Sequence, residues 1–395
     1  MTYPLLTGAD DVRAYLHRHG LLAPLGAGVE VHEVTAGNMN RVFLAQGADG
    51  GVAVKQAPPW VQVAGPDWPI DPRRIAAEAR AYARLADVAP DTVPRILATD
   101  LDDYVLVMED LSDLHVLRDA LVSQVLEVAA GRPPADLPLA SVAGAVGRFV
   151  AALTGATGED ALGPDERRIL IEESANPDLC ALTVDVVLTE PYAPHPHNSW
   201  HPALDGRVAA LYRDAEVRDA VASVRTVFDS AEEALLHGDL HTGSVMVGFR
   251  DGAPVTKVFD PEFSFVGPIG MDLGLFWANL AIAGVAARAV GAAQLAEQRD
   301  AAIGASWASF VDGWSSAWTG TDAALRARLN RIEGDAWRFA GVEAMRRVAG
   351  YSHAADLETL PAEAIGTASA EVFDRARTWL VSGRDGGPPL PRLEA

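Results

Sequence analysis

Cysteine is almost absent: Cys180 is the single one in 395 residues. A disulfide framework and an all-cysteine zinc site within the chain are therefore excluded. Basic residues are scarce as well, with 32 Lys and Arg against 54 Asp and Glu and a formal net charge of −22. A nucleic-acid binder needs a basic face to neutralise phosphates, so that partner class is not expected. A single nucleotide is not excluded, because a few local basic groups suffice to hold one. Acidity of this kind speaks mainly to solubility. The opening MTYPLLTGADDVRAYL lacks a basic segment followed by an apolar run, so no signal peptide is expected. Together with the lone cysteine this points to a cytoplasmic location. The most apolar run, GMDLGLFWANLAIAGVAARAV, is interrupted by Asp272 and Asn279. A buried helix is expected there rather than a membrane span. No internal repeat and no low-complexity tract occurs.

What is present is the composition of a soluble globular enzyme, 49% apolar and 22% charged. The length predicts two or three structural units. Residues 8–19 read as a helix capped by Asp10. Alternating runs at 29–35, 41–47, 52–57, 94–100 and 104–110 read as strands, joined early by the turns AGNMN and ADGG. A helix starting at Pro72 interrupts them over 72–87. From 113 onward the apolar spacing is helical over 115–128, 140–156, 208–234, 271–290, 293–318, 322–349 and 362–382. The exception is a loop followed by a hairpin, VMVGF and TKVFD around RDGAP. The Pro-rich stretch 190–202 reads as an ordered loop or a lid, and the tail GGPPLPRLEA as frayed. The expected fold class is α+β and bilobal, as in protein kinases. Residues 1–110 form a small antiparallel sheet lobe with one helix, and 111–395 a large, mainly helical lobe.

The loop before that hairpin, HGDLHTGS, places His237, Asp239 and His241 within five residues. Phosphoryl transfer asks little covalent help from a protein. It needs a group that orients the acceptor hydroxyl and metals that neutralise phosphate charge. Asp239 fits the first role. Asp260 and Glu262, flanking Pro261, fit the second with hard oxygen ligands. Alternation in an extended D-P-E would put both carboxylates on one side. Ser244 is a weaker ligand candidate at the position where many such enzymes carry a metal-binding Asn. His237 is expected to hold the loop by hydrogen bonds, and His241 either does the same or faces substrate. A zinc site built from His237, Asp239 and His241 is the rival reading. It lacks the helical spacing and third ligand of a metalloprotease motif. Asp272 is expected to cap the following helix and brace the loop.

Lys55 ends an apolar strand, and Glu78 sits on the next helix. In that order such a pair grips ATP phosphates in kinases, and otherwise both are surface residues. AGNMNRVF contains only Gly37 of a glycine-rich loop. The amides from Gly37 to Asn40 could cap phosphates, with Asn38 and Asn40 adding donors. Met108 and Glu109 fall at the lobe junction, where backbone groups could read adenine. Arg346 and Arg347 are adjacent on a helix and so point about 100° apart. They are either two solvated side chains or a binding pair for an anion or sugar hydroxyls.

Taken together, HGDLHTGS, DPEFSFVGPIGMD, GNMNRVF, VKQAPPWVQVAG, TEPY and RRVAGYSHAADL resemble, in order, the methylthioribose kinase family of the aminoglycoside phosphotransferase-like kinases. The resemblance runs from about residue 30 to residue 360. It implies a Mg²⁺-dependent enzyme, often a homodimer, that passes the γ-phosphate of ATP to the 1-hydroxyl of 5-methylthioribose in methionine salvage. It implies Asp239 as the catalytic carboxylate, Asp260 and Glu262 as metal ligands, Lys55 on ATP, and Arg346 and Arg347 near the sugar. Ser244 agrees with this family. Tyr351-Ser352 and the His- and Trp-rich loop 190–202 depart from it and bear on which sugar is accepted. Another sugar or an aminoglycoside as acceptor, and a non-catalytic nucleotide-binding protein of the same fold, are the alternatives.

Overall fold

The computed structural model describes residues 3–35, 39–383, 387 and 390. Its first lobe begins with α1 (Ala9–Arg18). Gly8 is the N-cap, and Asp10 lies inside the first turn rather than capping it. The strands β1 (Glu30–Val34), β2 (Arg41–Gly47) and β3 (Gly50–Gln56) form antiparallel neighbours. Helix α2 (Arg74–Val88) follows, then β4 (Ile96–Asp100) and β5 (Val105–Glu109). The sheet order is β1-β2-β3-β5-β4, which is the expected five-stranded sheet with one inserted helix. Alternation works as the sequence requires. Phe43, Ala45, Val52 and Val54 face Val105, Val107 and the α1 residues Val12, Tyr15 and Leu16 in one apolar cluster. Lys55 shares strand β3 with Val52 and Val54 but leaves on the opposite face, toward α2.

The second lobe opens with β6 (His115–Val116), α3 (Leu117–Ala129), α4 (Leu139–Thr157), α5 (Pro164–Glu173) and α6 (Pro177–Leu188). Neither α5 nor α6 was expected. The predicted helix 208–234 is two helices, α7 (Asp205–Leu211) and α8 (Ala215–Ser230). They separate where Asp214 turns extended and its carboxylate caps the amides of Glu216 and Val217. Strand β7 (Ala234–Leu235) leads into the 236–244 loop. The hairpin β8 (Val245–Arg250) and β9 (Ala253–Val258) follows as expected. Its two-residue turn, Asp251-Gly252, has positive φ at both positions, as a tight hairpin demands. Strand β10 (Val266–Gly267) pairs back on β7.

Four long helices and a short one complete the lobe: α9 (Gly270–Ala289), α10 (Ala293–Ser316), α11 (Asp322–Ala349), α12 (Ala355–Glu358) and α13 (Ala362–Ser382). Helix α9 is the axis of the core, and α10, α11 and α13 surround it. It meets α11 so closely that a Cβ on Gly274 would sit 2.2 Å from the Ala336 carbonyl oxygen. Trp277, Trp307, Trp337 and Trp379 are all fully buried there. Trp277 lies 5.8 Å from Trp307 and 5.0 Å from Trp337 between ring centroids. Truncating one of them to Ala would cost about 3–5 kcal/mol. Helices α4 and α9 are long and apolar enough to cross a membrane by length alone. The most apolar part of α9 is, however, entirely buried within this protein, and that of α4 mostly so. Both are core helices.

Candidate active site

The loop after β7 is shaped by its neighbours before it does any chemistry. Gly238 has φ +86°, and a Cβ there would lie 2.1 Å from the Phe263 carbonyl oxygen, so only glycine fits. Asp272, buried in the first turn of α9, accepts the amides of His237 at 2.7 Å and Gly238 at 2.9 Å. It therefore braces the loop as expected, although Ile269 is the cap of α9. Burial pushes the Asp272 carboxyl upward. His237 bridges the loop to the hairpin. Its Nε2 lies 2.9 Å from the Phe259 carbonyl oxygen, and its Nδ1 accepts the Asp239 amide at 3.3 Å. Those partners assign the proton to Nε2. Both ring nitrogens of His237 are thus committed to backbone, and the rival zinc site has no free ligand there.

Asp239 points from this loop into a cavity of about 870 Å³ between the lobes. His241 Nε2 lies 3.4 Å from its Oδ2, and Arg346 Nη2 lies 3.9 Å from its Oδ1. Burial works to raise the Asp239 carboxyl, but His241, Arg346 and Arg347 overcome it and hold it far below the usual carboxylate range. Asp239 is ionised at any physiological pH. His241 Nδ1 accepts the Gly243 amide at 2.9 Å, which leaves Nε2 to face Asp239. The Ser244 hydroxyl donates to the Asp239 carbonyl oxygen at 2.8 Å. In this structure it serves the loop.

A second group of carboxylates lies across the cavity. Glu78 of α2, Asp260 and Glu262 offer oxygens that all lie within 4.8 Å of one another. Lys55 is buried among them. Its Nζ donates to Glu78 Oε1 at 2.8 Å and also to Asp260 Oδ1. Burial, and next the Asp260 charge, push the Glu262 carboxyl upward; Glu78 is raised by burial and by Asp260 against the pull of Lys55. Asp260 adopts φ 67° and its amide donates to the Tyr82 hydroxyl at 2.9 Å. The D-P-E segment is therefore not the extended alternation expected from the sequence. A left-handed Asp260 and a turn closed from Ser264 to the Pro261 carbonyl bring the two carboxylates together instead. Among the described residues Glu78 Oε2 is buried with no hydrogen-bond partner, and Lys55 is bonded to only two of the three carboxylates. A divalent hard cation fits this donor set.

Asn40 was expected to donate to phosphates; in the structure it donates to Glu262 Oε2 at 2.5 Å and accepts from Arg74 at 2.9 Å, so its side chain holds a carboxylate in place. Two supporting residues, Arg74 and Asn176, escaped sequence reasoning. Arg74 also donates to the Met39 and Pro58 carbonyl oxygens. Asn176 donates to the Glu262 and Ser264 carbonyl oxygens. The one sequence signal for these is Pro177, a first-turn proline that marks Asn176 as the preceding cap position. Gly37 and Asn38 lie outside the described residues.

At the end of the cavity lined by Ala53 and Met108, the Glu109 carboxylate is already tied to Arg250 at 2.9 Å and the Arg95 amide at 3.1 Å. The Glu109 amide donates to the Arg95 carbonyl oxygen. At the other end stand Arg346 and Arg347, in the last turn of α11. Adjacent helix positions should diverge, yet both guanidinium groups turn back onto one buried carboxylate, Glu343, three and four residues earlier. Asn279 of α9 donates to the same carboxylate at 3.0 Å. Burial acts to raise Glu343, but the two arginines win and hold it at about 2. Arg347 further donates to the Ser352 hydroxyl at 3.2 Å. The paired arginines are thus a fixed cationic wall beside Asp239, not two solvated side chains.

Comparison with known proteins matches residues 30–310 to the family described as "Phosphotransferase enzyme family". A methylthioribose kinase of Bacillus thuringiensis (strain Al Hakam) is 33% identical over 371 residues, spanning 91% of this chain and 88% of that protein. A methylthioribose kinase of Bacillus cereus (strain ATCC 10987 / NRS 248) is 34% identical over the same shares. Among solved structures, a microcompartment-associated aminopropanol kinase superposes with a TM-score of 0.50. It covers 93% of this chain and 98% of that one at 14% identity, a likeness of fold.

Proposed function

The chain belongs to the phosphotransferase enzyme family, and we propose that it phosphorylates 5-methylthioribose on its 1-hydroxyl with ATP. At the coarser level it is a small-molecule kinase with an alcohol acceptor. The acceptor assignment is supported above all by the methylthioribose kinases, which match along nearly the whole chain at a third identity. The cavity agrees with it. Beside the Asp239 carboxylate and the two arginines, its wall carries Trp68, Leu182, Phe263 and Tyr351, an apolar end that suits a methylthio group.

In this reading residues 1–110 hold the nucleotide and 111–395 the acceptor and the catalytic loop. Lys55, positioned by Glu78, grips the phosphates, and Ala53 and Met108 wall the adenine end. Asp260 and Glu262 would hold Mg²⁺, which when bound would neutralise phosphate charge. Asp239 accepts a hydrogen bond from the sugar hydroxyl and aims its oxygen at the γ-phosphorus. The new O–P bond forms as the bond to the departing ADP oxygen breaks, and the hydroxyl proton passes to Asp239. His241, Arg346 and Arg347 keep Asp239 ionised, so it is ready to orient the hydroxyl and to accept its proton. Arg346 and Arg347 sit where charge passes to the acceptor side.

The non-catalytic alternative is disfavoured because Lys55, Glu78, Asp239, Asp260 and Glu262 are all present and gathered at one cavity. Phosphorus NMR of the product tests the proposal. A phosphate on carbon 1 of methylthioribose is expected, and a phosphate on any other carbon, or none, would overturn it.

A further inference from the structure

The loop between α6 and α7 carries two imidazoles and a carboxylate that the reaction does not use. Glu190 lies in a 3-10 turn directly after α6, with its side chain 11% exposed. Five and seven residues on, His195 and His197 flank Pro196. A turn closed by the Asn198 amide on the His195 carbonyl oxygen, with Pro196 at its favoured second position, brings both rings to the same side. His195 Nδ1 lies 3.5 Å from Glu190 Oε2, and His197 Nδ1 lies 3.1 Å from both Glu190 oxygens.

These spacings are those of a coordination shell. Bonds of about 2.0–2.1 Å in a tetrahedral site put ligand atoms about 3.3 Å apart. His195 Nδ1 accepts the His197 amide in a long contact of 3.3 Å, which a metal bound at that nitrogen would replace. The His197 ring is held by Trp68, stacked at 5.3 Å, and by Tyr351 at 5.4 Å. Asn198 ties the loop by donating to the Glu190 and Ala193 carbonyl oxygens. Two imidazoles with one carboxylate suit a borderline divalent ion, unlike the all-oxygen cluster around Asp260.

We propose that Glu190, His195 and His197 form a second metal site that binds zinc, with a fourth coordination position left open. The site would brace the 190–199 segment beside the turn after α11. That turn already contacts the loop through the Ser199 amide on the Gly350 carbonyl oxygen and through His353, 2.8 Å from the Ser199 carbonyl oxygen.

The test uses the full chain, stripped with a chelator and free of nucleotide and acceptor, so its outcome does not depend on the acceptor assignment. Zinc is titrated against a chromophoric competitor, and Co²⁺ is added separately to read its visible spectrum. The expected result is a zinc equivalent whose affinity falls about tenfold or more in His195→Asn, His197→Asn and Glu190→Gln. Co²⁺ should give the intense bands of a tetrahedral site, retained in Asp260→Asn and lost in the His variants. Zinc binding unchanged in both His variants would overturn the proposal, as would a wild-type Co²⁺ spectrum without tetrahedral bands.

Discussion

Arg346 Nη2 stands 3.9 Å from Asp239 Oδ1, while the Nε of the same guanidinium is bonded to Glu343. The Asp239 carboxylate and the cationic wall are therefore set against each other by a third, buried charge. Replacing Asp239 with Asn keeps the size and removes the acceptor for the hydroxyl proton. Turnover should fall by about 10²–10⁴, with nucleotide affinity nearly unchanged. Steady-state kinetics beside nucleotide titration checks this, and a variant within about tenfold of wild type would refute the role.

Glu343 should matter for stability more than for chemistry. Its carboxyl is held at about 2 against an ordinary value of 4.5, so its ionised form stabilises the fold. That contribution is complete above the ordinary value and is lost as pH falls through about 2. Glu343→Gln leaves Arg346 and Arg347 without their buried partner, at a cost of about 3–5 kcal/mol near neutrality. Denaturant unfolding across pH should show the deficit at pH 7 shrinking in acid. A deficit that stays constant into acid would contradict the account.

Lys55 is the cation shared by Glu78 and Asp260. Lys55→Met should lower kcat/KM for ATP by about 10²–10³. Asp260→Ala should abolish the Mg²⁺ dependence of nucleotide binding while leaving the melting temperature close to wild type. Isothermal titration with and without Mg²⁺ separates the two, and a Mg²⁺-dependent affinity retained in Asp260→Ala would remove that residue from the metal site.

Asp272 accepts two loop amides at once. Asp272→Asn can accept only one of them well, so the fold should lose about 1–3 kcal/mol. Because Asp239 follows directly, kcat should fall while KM for ATP holds. Amide hydrogen exchange at His237 and Gly238 should speed up, and unchanged exchange would show that the brace lies elsewhere.

The sheet lobe was legible because each strand is half-buried and alternates, and because its turns carry glycine. The 236–244 loop and the hairpin were legible for the same reason. Helices α5 and α6 were not, since α5 buries only Leu170 and offers almost no apolar stripe, although Pro164 and Pro177 mark both starts. The break at Asp214 was hidden because helical spacing continues on both sides of it. The carboxylate cluster was read in part. Asp260 and Glu262 are near in sequence, but Asn40 reaches Glu262 from 222 residues away. No local pattern encodes that contact, nor the left-handed backbone of Asp260. Glu343 could have been found, since Glu-x-x-Arg-Arg is the spacing that folds two arginines onto one carboxylate along a helix.

The acceptor is the central claim, and one competition assay tests it most directly. Mg²⁺-dependent ATP consumption is measured with 5-methylthioribose, ribose, glucosamine and kanamycin as acceptors. The account predicts a kcat/KM for methylthioribose at least about a hundredfold above each of the others, because ribose leaves the apolar end of the cavity unfilled and the rest misfit it. Turnover of another acceptor with methylthioribose inert would contradict the assignment of the sugar, while no turnover of any acceptor would contradict the kinase reading of Asp239 itself.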